Sequence, residues 1–263
     1  MSSYVATSLP VTGAWLEGMP PAFRKFADLG PITLESGVVL PQVRVAYETW
    51  GTFTGNNAVL VEHAFSGDSH AVGPTAPGQV SPGWWGEVIG PGHWLDTNKW
   101  FVLCANVIGG CQGSTGPSSL APDGKPWGSR WPRVTARDQV AVEIALADHL
   151  GIDTFASAMG GSMGAMRALE WLVMQPGRVR SAMLSATAAV ASADQIATNT
   201  TQIRAITGDA NWNHGDYYGQ EIGPVHGMQL ARQIAHINYR TEYELATRFG
   251  TDPQELENPY GPE

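Results

Sequence analysis

The chain has 263 residues, 43% of them hydrophobic, and a net charge of −9. That length and apolar content suit one α/β domain or two small ones with a real core, and they exclude a disordered chain. Only 15 lysines and arginines are present, with no basic stripe, which argues against nucleic acid as the main partner.

Cys104 and Cys111 form no metal or redox spacing, so no metal site is expected, and Cys104 reads as a small buried residue within an apolar run. Residues 1–10 are polar and lack a signal-peptide pattern, and no apolar run is long enough to span a membrane. A soluble cytoplasmic protein without a membrane partner is therefore expected. Ten tryptophans and 31 glycines are many for this length and point to structured loops.

In chain order, residues 1–28 read as a loose lead-in. Residues 32–35 and 43–50 alternate apolar and polar (Val43, Val45, Tyr47, Thr49), the pattern of an antiparallel, half-exposed pair. Residues 51–57 are turn chemistry. Residues 58–61 form a short continuous apolar run, as expected of a strand buried on both faces. A glycine- and proline-rich connection over 71–97 carries Trp84, Trp85 and Trp94. The next buried strand spans 100–107, and a second glycine-rich loop runs over 108–131. Loops this long within a compact domain tend to be functional.

Thr135 with Asp138 three residues on is a capping box, opening a helix that reaches about Leu150 and stops at Gly151. Residues 154–174 read as strand, sharp turn and helix, ended by Pro176 and Gly177, and residues 179–187 read as one more strand. The sum is a mostly parallel sheet with helical crossovers, opened by an antiparallel pair. After Ala188 no buried strand follows. Residues 194–206 are polar and helix-compatible, 211–219 are turn-rich, and 228–249 have helical period. The expected division is an α/β core over 1–188 and a helical cap over 189–263.

The chemistry centres on Gly160-Gly161-Ser162-Met163-Gly164, which fits the G-x-S-x-G nucleophile elbow. Glycines two before and two after the serine avoid Cβ clashes in a strained turn. Ser162 is the candidate nucleophile. The Met163 amide, at the helix start, is one candidate oxyanion donor. The loop after the strand ending at Val61 supplies the other, and the Phe65 amide is the natural choice. A serine nucleophile also needs a histidine base and a carboxylate to orient it. Downstream lie His214, His226 and His236, and Asp194, Asp209, Asp216 and Asp252, none of them after a strand-like run. The triad aspartate and histidine are therefore expected outside these residues. The chain reads as the N-terminal part of a longer protein, inactive alone. On the late helix, Arg232, His236 and Tyr239 stand at i, i+4 and i+7 on one face. That face suits either a bound carboxylate or solvent.

These residues resemble the homoserine O-acetyltransferases. The likeness rests on Gly160-Gly161-Ser162-Met163-Gly164 with Ala168-Leu169-Glu170-Trp171. It also rests on His63-Ala64 with Gly67-Asp68-Ser69-His70, on Pro82-Gly83-Trp84-Trp85, and on the glycine-rich stretch over 106–119. Arg137-Asp138-Gln139, Ala193-Asp194-Gln195 and Tyr239-Arg240-Thr241-Glu242 fit as well. The resemblance implies an α/β-hydrolase fold with a helical lid and a cytoplasmic homodimer formed through that lid. It implies no bound cofactor and a ping-pong reaction in methionine biosynthesis. Ser162 would take acetyl from acetyl-CoA and pass it to the hydroxyl of L-homoserine. Ser66 would fall near the substrate, where the family has threonine, and Arg232 with Tyr239 would hold the homoserine carboxylate. Ala165 replaces a usual glycine, and Phe65-Ser66 a usual Leu-Thr. Succinyl transfer, serine as acceptor, and a serine esterase remain alternatives. So does a non-catalytic binding or dimerisation module.

Overall fold

The computed structural model describes residues 11–250. Residues 1–10, Asp252 and the tail over 257–263 lie outside the described residues. The chain falls into two compact units. One is Thr12–Val190, and the described part of the other is Val11 with residues 191–250.

The larger unit opens with a hairpin, β1 (Lys25–Thr33) and β2 (Val39–Trp50), paired antiparallel. β3 (Ala58–Glu62) follows. A two-residue pair, β4 (Ile89–Gly90) and β5 (Leu95–Asp96), interrupts the long connection. Then come β6 (Phe101–Ala105), α1 (Ala136–His149), β7 (Phe155–Gly161), α2 (Met163–Met174) and β8 (Ala182–Ser185). The main sheet runs β1-β2-β6-β3-β7-β8, antiparallel from β1 to β6 and parallel from β6 to β8. This is the mostly parallel sheet that the sequence implies.

β3 sits at the centre and all five of its residues are buried. Its pleat sends Leu60 to one face, with Leu103, Leu146, Phe155 and Trp171. Val59 and Val61 go to the other, with Val102, Cys104 and Ile89. A continuous apolar run is what a strand covered on both faces requires. α1 and α2 supply the first face, and β4 with β5 supply the second.

Several boundaries differ from expectation. β1 starts at Lys25, inside the supposed lead-in. Two register shifts, on either side of Gly30, break its alternation and hide the period of two. The strand expected over 179–187 is regular only from Ala182 to Ser185, with Val179 forming an isolated bridge to Phe155 and Ala186 turning to φ 50. The capping box forms as read: the Thr135 hydroxyl accepts from the Asp138 amide, and the Asp138 carboxylate accepts from the Thr135 amide at 2.9 Å. Asp138 also accepts from the Glu35 amide at 2.7 Å, which ties the helix start to the β1–β2 turn.

The smaller unit is helical: α3 (Ala193–Thr207), α4 (Val225–Tyr239) and α5 (Glu242–Phe249). The single period expected over 228–249 is two helices, because Arg240 is extended and the Thr241 side chain caps α5 by accepting from the Glu244 amide. Gly227 lets α4 approach α3: a Cβ there would lie 2.4 Å from the Ala205 carbonyl oxygen. No helix among the described residues is long and apolar enough to cross a membrane.

Candidate active site

Parallel strands place their carboxyl ends along one edge of the sheet, where ligands bind in open α/β folds. Gly161 at the end of β7, residues 63–67 after β3, and Ser185 at the end of β8 meet there, around a cavity of about 350 Å³. Ala64, Ser66, Trp84, Trp85, Gly161 and Met183 are among its walls.

Ser162 joins β7 to α2 with φ 55 and ψ −122, a left-handed φ that a non-glycine residue adopts only under constraint. The constraint is visible. The Ser162 amide donates to the Ser185 carbonyl at 3.0 Å, and the Ser162 carbonyl accepts from the Met166 amide at 3.1 Å. The flanking glycines admit no side chain. A Cβ on Gly160 would sit 2.4 Å from the carbonyl carbon of Gly164, and one on Gly164 would sit 2.1 Å from the carbonyl oxygen of Glu62. Thus β3, β7 and α2 touch by backbone at this point, and the serine is turned outward and exposed. Met163 is the first residue of α2, so its amide has no partner within the helix and lies in the positive field of the helix start.

The loop after β3 lies beside the elbow. Phe65 is 85% exposed, so its side chain contributes little packing. The Gly67 amide donates to the Ala64 carbonyl at 2.9 Å, closing a turn around Phe65 and Ser66. Trp84 and Trp85 stack at 5.4 Å, and Trp84 Nε1 donates to the Asp68 carbonyl at 3.0 Å, so the aromatic wall is fastened to this same loop. Ala165 is fully buried on α2.

A larger hollow, about 460 Å³, opens elsewhere in this unit near Trp15, Arg44 and Ser114. Arg44 there is already engaged by Glu17 at 2.7 Å and Asp28 at 2.8 Å, so its charge is satisfied internally. It has no strained residue of the kind found at Ser162.

The remaining sequence candidates belong to the helical unit. Arg232, His236 and Tyr239 all lie on α4, with Tyr239 81% exposed and Arg232 exposed. His236 is in contact with Arg240. His214 lies in a short 3₁₀ turn and has φ 54. Asp209 caps α4 by accepting from the Gly227 amide at 2.7 Å.

Sequence reasoning missed a group of charged residues under the elbow. Glu62, Glu143 and Arg167 are buried together. A signal was present: Arg167 shares the stripe of Gly164, Ala168 and Trp171 that α2 buries, and Glu62 ends a fully buried strand. Charges on apolar faces are the informative exceptions to burial rules.

A serine held at a left-handed turn between a parallel strand and a helix, at the carboxyl edge of a mostly parallel sheet, is the elbow arrangement of the α/β-hydrolase fold. The family pattern described as "alpha/beta hydrolase fold" matches residues 57–261. A homoserine O-acetyltransferase of Thermobifida fusca is 55% identical over 98% of this chain and 69% of its own length. The homoserine O-acetyltransferase structure from Bacillus anthracis superposes with a TM-score of 0.79 at 29% identity, covering 90% of this chain and 65% of that one. Esterase E22 (an L374D mutant) superposes with a TM-score of 0.80 at 31% identity, covering 89% and 66%. The chain belongs to the homoserine O-acetyltransferase family of the α/β-hydrolase fold. It spans about two thirds of the length of the curated relatives it matches.

Proposed function

We propose that the full-length protein transfers an acetyl group from acetyl-CoA to the hydroxyl of L-homoserine through an acetyl-Ser162 intermediate, in methionine biosynthesis. The observation that carries this reading is the 55% identity to a homoserine O-acetyltransferase across 98% of the chain. Ser162 Oγ attacks the thioester carbonyl as a base takes its proton. The Met163 and Phe65 amides hold the resulting oxyanion. Collapse breaks the C–S bond and expels CoA as its thiol. The homoserine hydroxyl then gives up its proton to the same base, attacks the acyl-enzyme and releases the acetyl ester with free Ser162. A histidine base and a carboxylate that orients it complete the site. Ser66 lines the acceptor side. Residues 189–263 act as a lid, in which Arg232 and Tyr239 bind the homoserine carboxylate and through which two copies pair. Neither a bound metal nor a bound cofactor enters the chemistry, and the enzyme works in the cytoplasm.

A second reading, a serine esterase, is favoured by the equal superposition of esterase E22. Both use the same acyl-serine, and the difference lies in excluding water from it. CoA release from acetyl-CoA, measured with and without homoserine beside hydrolysis of p-nitrophenyl acetate, separates them. Homoserine-dependent CoA release supports the transferase; fast ester hydrolysis with CoA release indifferent to homoserine overturns it. Ser162→Ala is expected to lower turnover by about 10⁴-fold or more. Loss of the acetylated peptide in mass spectra of acetyl-CoA-treated protein checks that the lesion is at the acyl-enzyme.

A further inference from the structure

The charged group beneath the elbow has no part in the chemistry above, yet it reaches the oxyanion loop. Arg167 follows Ser162 by five residues on α2 and has no exposed surface. Its Nη1 lies 2.9 Å from Glu62 Oε2 and 2.5 Å from Glu143 Oε1, and its Nη2 donates to the His63 carbonyl oxygen at 2.8 Å. Trp171 Nε1 donates to the other Glu143 oxygen at 2.9 Å. Burial pushes the Glu62 carboxyl well above the usual carboxylate range, with Arg167 opposing and Glu143 adding to the rise. Both carboxyls face the one guanidinium. Burying such a group costs several kcal/mol per ion, and apolar residues of equal volume often give a more stable fold. Stability alone is a poor reason for its presence. Geometry supplies a better one.

The His63 ring is the second half of the device. The Val107 amide donates to His63 Nε2 at 3.0 Å. An N–H can only donate, so Nε2 accepts, and the ring proton sits on Nδ1. Nδ1–H then donates to the Ala64 carbonyl oxygen at 2.8 Å. That carbonyl belongs to the same planar, trans peptide unit as the Phe65 N–H, so fixing the C=O fixes the N–H, which points the opposite way. Arg167 holds the preceding peptide unit by its His63 oxygen.

We propose that Arg167, acting through His63, is a positioning residue that orients the Phe65 N–H toward the oxyanion. The assignment rests on the acyl-serine reading of Ser162. A single rigid helix then carries the Met163 amide and, one turn later, the guanidinium that sets the residue two before Phe65. The spacing of the two donors is fixed from one element.

The test uses the full-length protein and three variants, R167K, H63Q and H63N. Lysine keeps the charge of Arg167 and loses the fork that reaches His63 and Glu143 together. Glutamine at 63 keeps an acceptor near the place of Nε2 and loses the donor near Nδ1; asparagine does the reverse. The burst of p-nitrophenol on acylation by p-nitrophenyl acetate is expected to slow about 10- to 100-fold in R167K and H63Q, with KM changed less than about twofold. Affinity for a boronic acid that forms a tetrahedral adduct with Ser162 falls in parallel. H63N recovers most of the rate, although its melting temperature falls as far as that of H63Q. A folded R167K that acylates at the wild-type rate overturns the proposal, and so does equal acylation by H63Q and H63N. The H63 pair decides alone where R167K does not fold. Acylation by the ester needs no homoserine, so a protein that never acetylates homoserine sinks the functional reading and leaves this test standing.

Discussion

The segment over residues 62–70 is held at both ends by a buried histidine, and the two ends are built on opposite electrostatics. His63 meets a cation and backbone groups: Arg167 grips its carbonyl, Val107 donates to its ring, and its ring donates to Ala64. His70 meets a carboxylate: Nδ1 lies 3.0 Å from Glu48 Oε2 inside the fold, and its ring stacks on Phe23 at 5.5 Å. Gln79 donates to the other Glu48 oxygen at 3.1 Å. The His63 end aims backbone at the cavity. The His70 end anchors the connection that carries Trp84 and Trp85 against β2. The lesson is that two buried histidines seven residues apart do different jobs, one setting an N–H direction and one closing a loop. Substitutions at the two ends should therefore separate activity from stability.

The largest expected effect is at the His63 end. Gly164→Ala places a methyl 2.1 Å from the Glu62 carbonyl oxygen and 2.9 Å from the His63 carbonyl oxygen. Backbone must part there by about 1 Å, which separates the two amide donors, and misplacement on that scale costs about 10²-fold in rate. Acylation by p-nitrophenyl acetate is expected to drop by that order, with a melting temperature lowered by overpacking worth about 1–3 kcal/mol. A variant that acylates normally would mean that α2 and the loop after β3 are not locked together.

The His70 end should respond the other way. Glu48→Gln leaves the His70 ring and the Gln79 amide competing for one oxygen in a site with almost no solvent. Leaving a buried hydrogen-bonding group without its partner costs about 1–3 kcal/mol. The urea midpoint should fall accordingly, while the acylation rate per folded molecule stays within about twofold. A rate loss as large as that of R167K, at unchanged stability, would erase the contrast between the two ends.

How much of this was legible from residues alone follows the same division. The elbow could be read because its cause is local: glycines at fixed spacing, with a strand before and a helix after. The capping box at Thr135 and Asp138 is local too. β3 announced itself as an apolar run because both of its faces are covered. β1 hid behind two register shifts, and the break between α4 and α5 hid inside a continuous apolar period until Arg240 is seen to be extended. Arg167 could be seen as a charge on a buried stripe, but its partners are 24 and 105 residues away in sequence, at Glu143 and Glu62. Long-range pairings of that kind are set by the sheet order, and no local pattern carries them.

Stability also depends on pH through the His63 end. Burial, and after it the Arg167 charge, pushes the His63 imidazole down to about 3. In the unfolded chain the same ring has the ordinary value of about 6.5. Between those two values the unfolded chain binds a proton at this site that the folded chain refuses. The neutral ring's contribution is therefore fully present above pH 6.5 and is lost as pH falls toward 3, with a limiting slope of about 1.4 kcal/mol per pH unit. Glu62 acts in the opposite sense. Its raised folded value means it favours the folded state below the ordinary carboxylate range and opposes it as pH rises. It is common to wild type and H63N, so it drops out of their difference. Urea unfolding of the two proteins at pH 7 and pH 5 reads that difference. Wild type should lose about 2 kcal/mol more than H63N on going to pH 5, with similar m-values. Equal losses would mean that the folded protein accepts a proton on His63. The Val107 amide could not then donate to Nε2, and the orientation of the Phe65 N–H would need another cause.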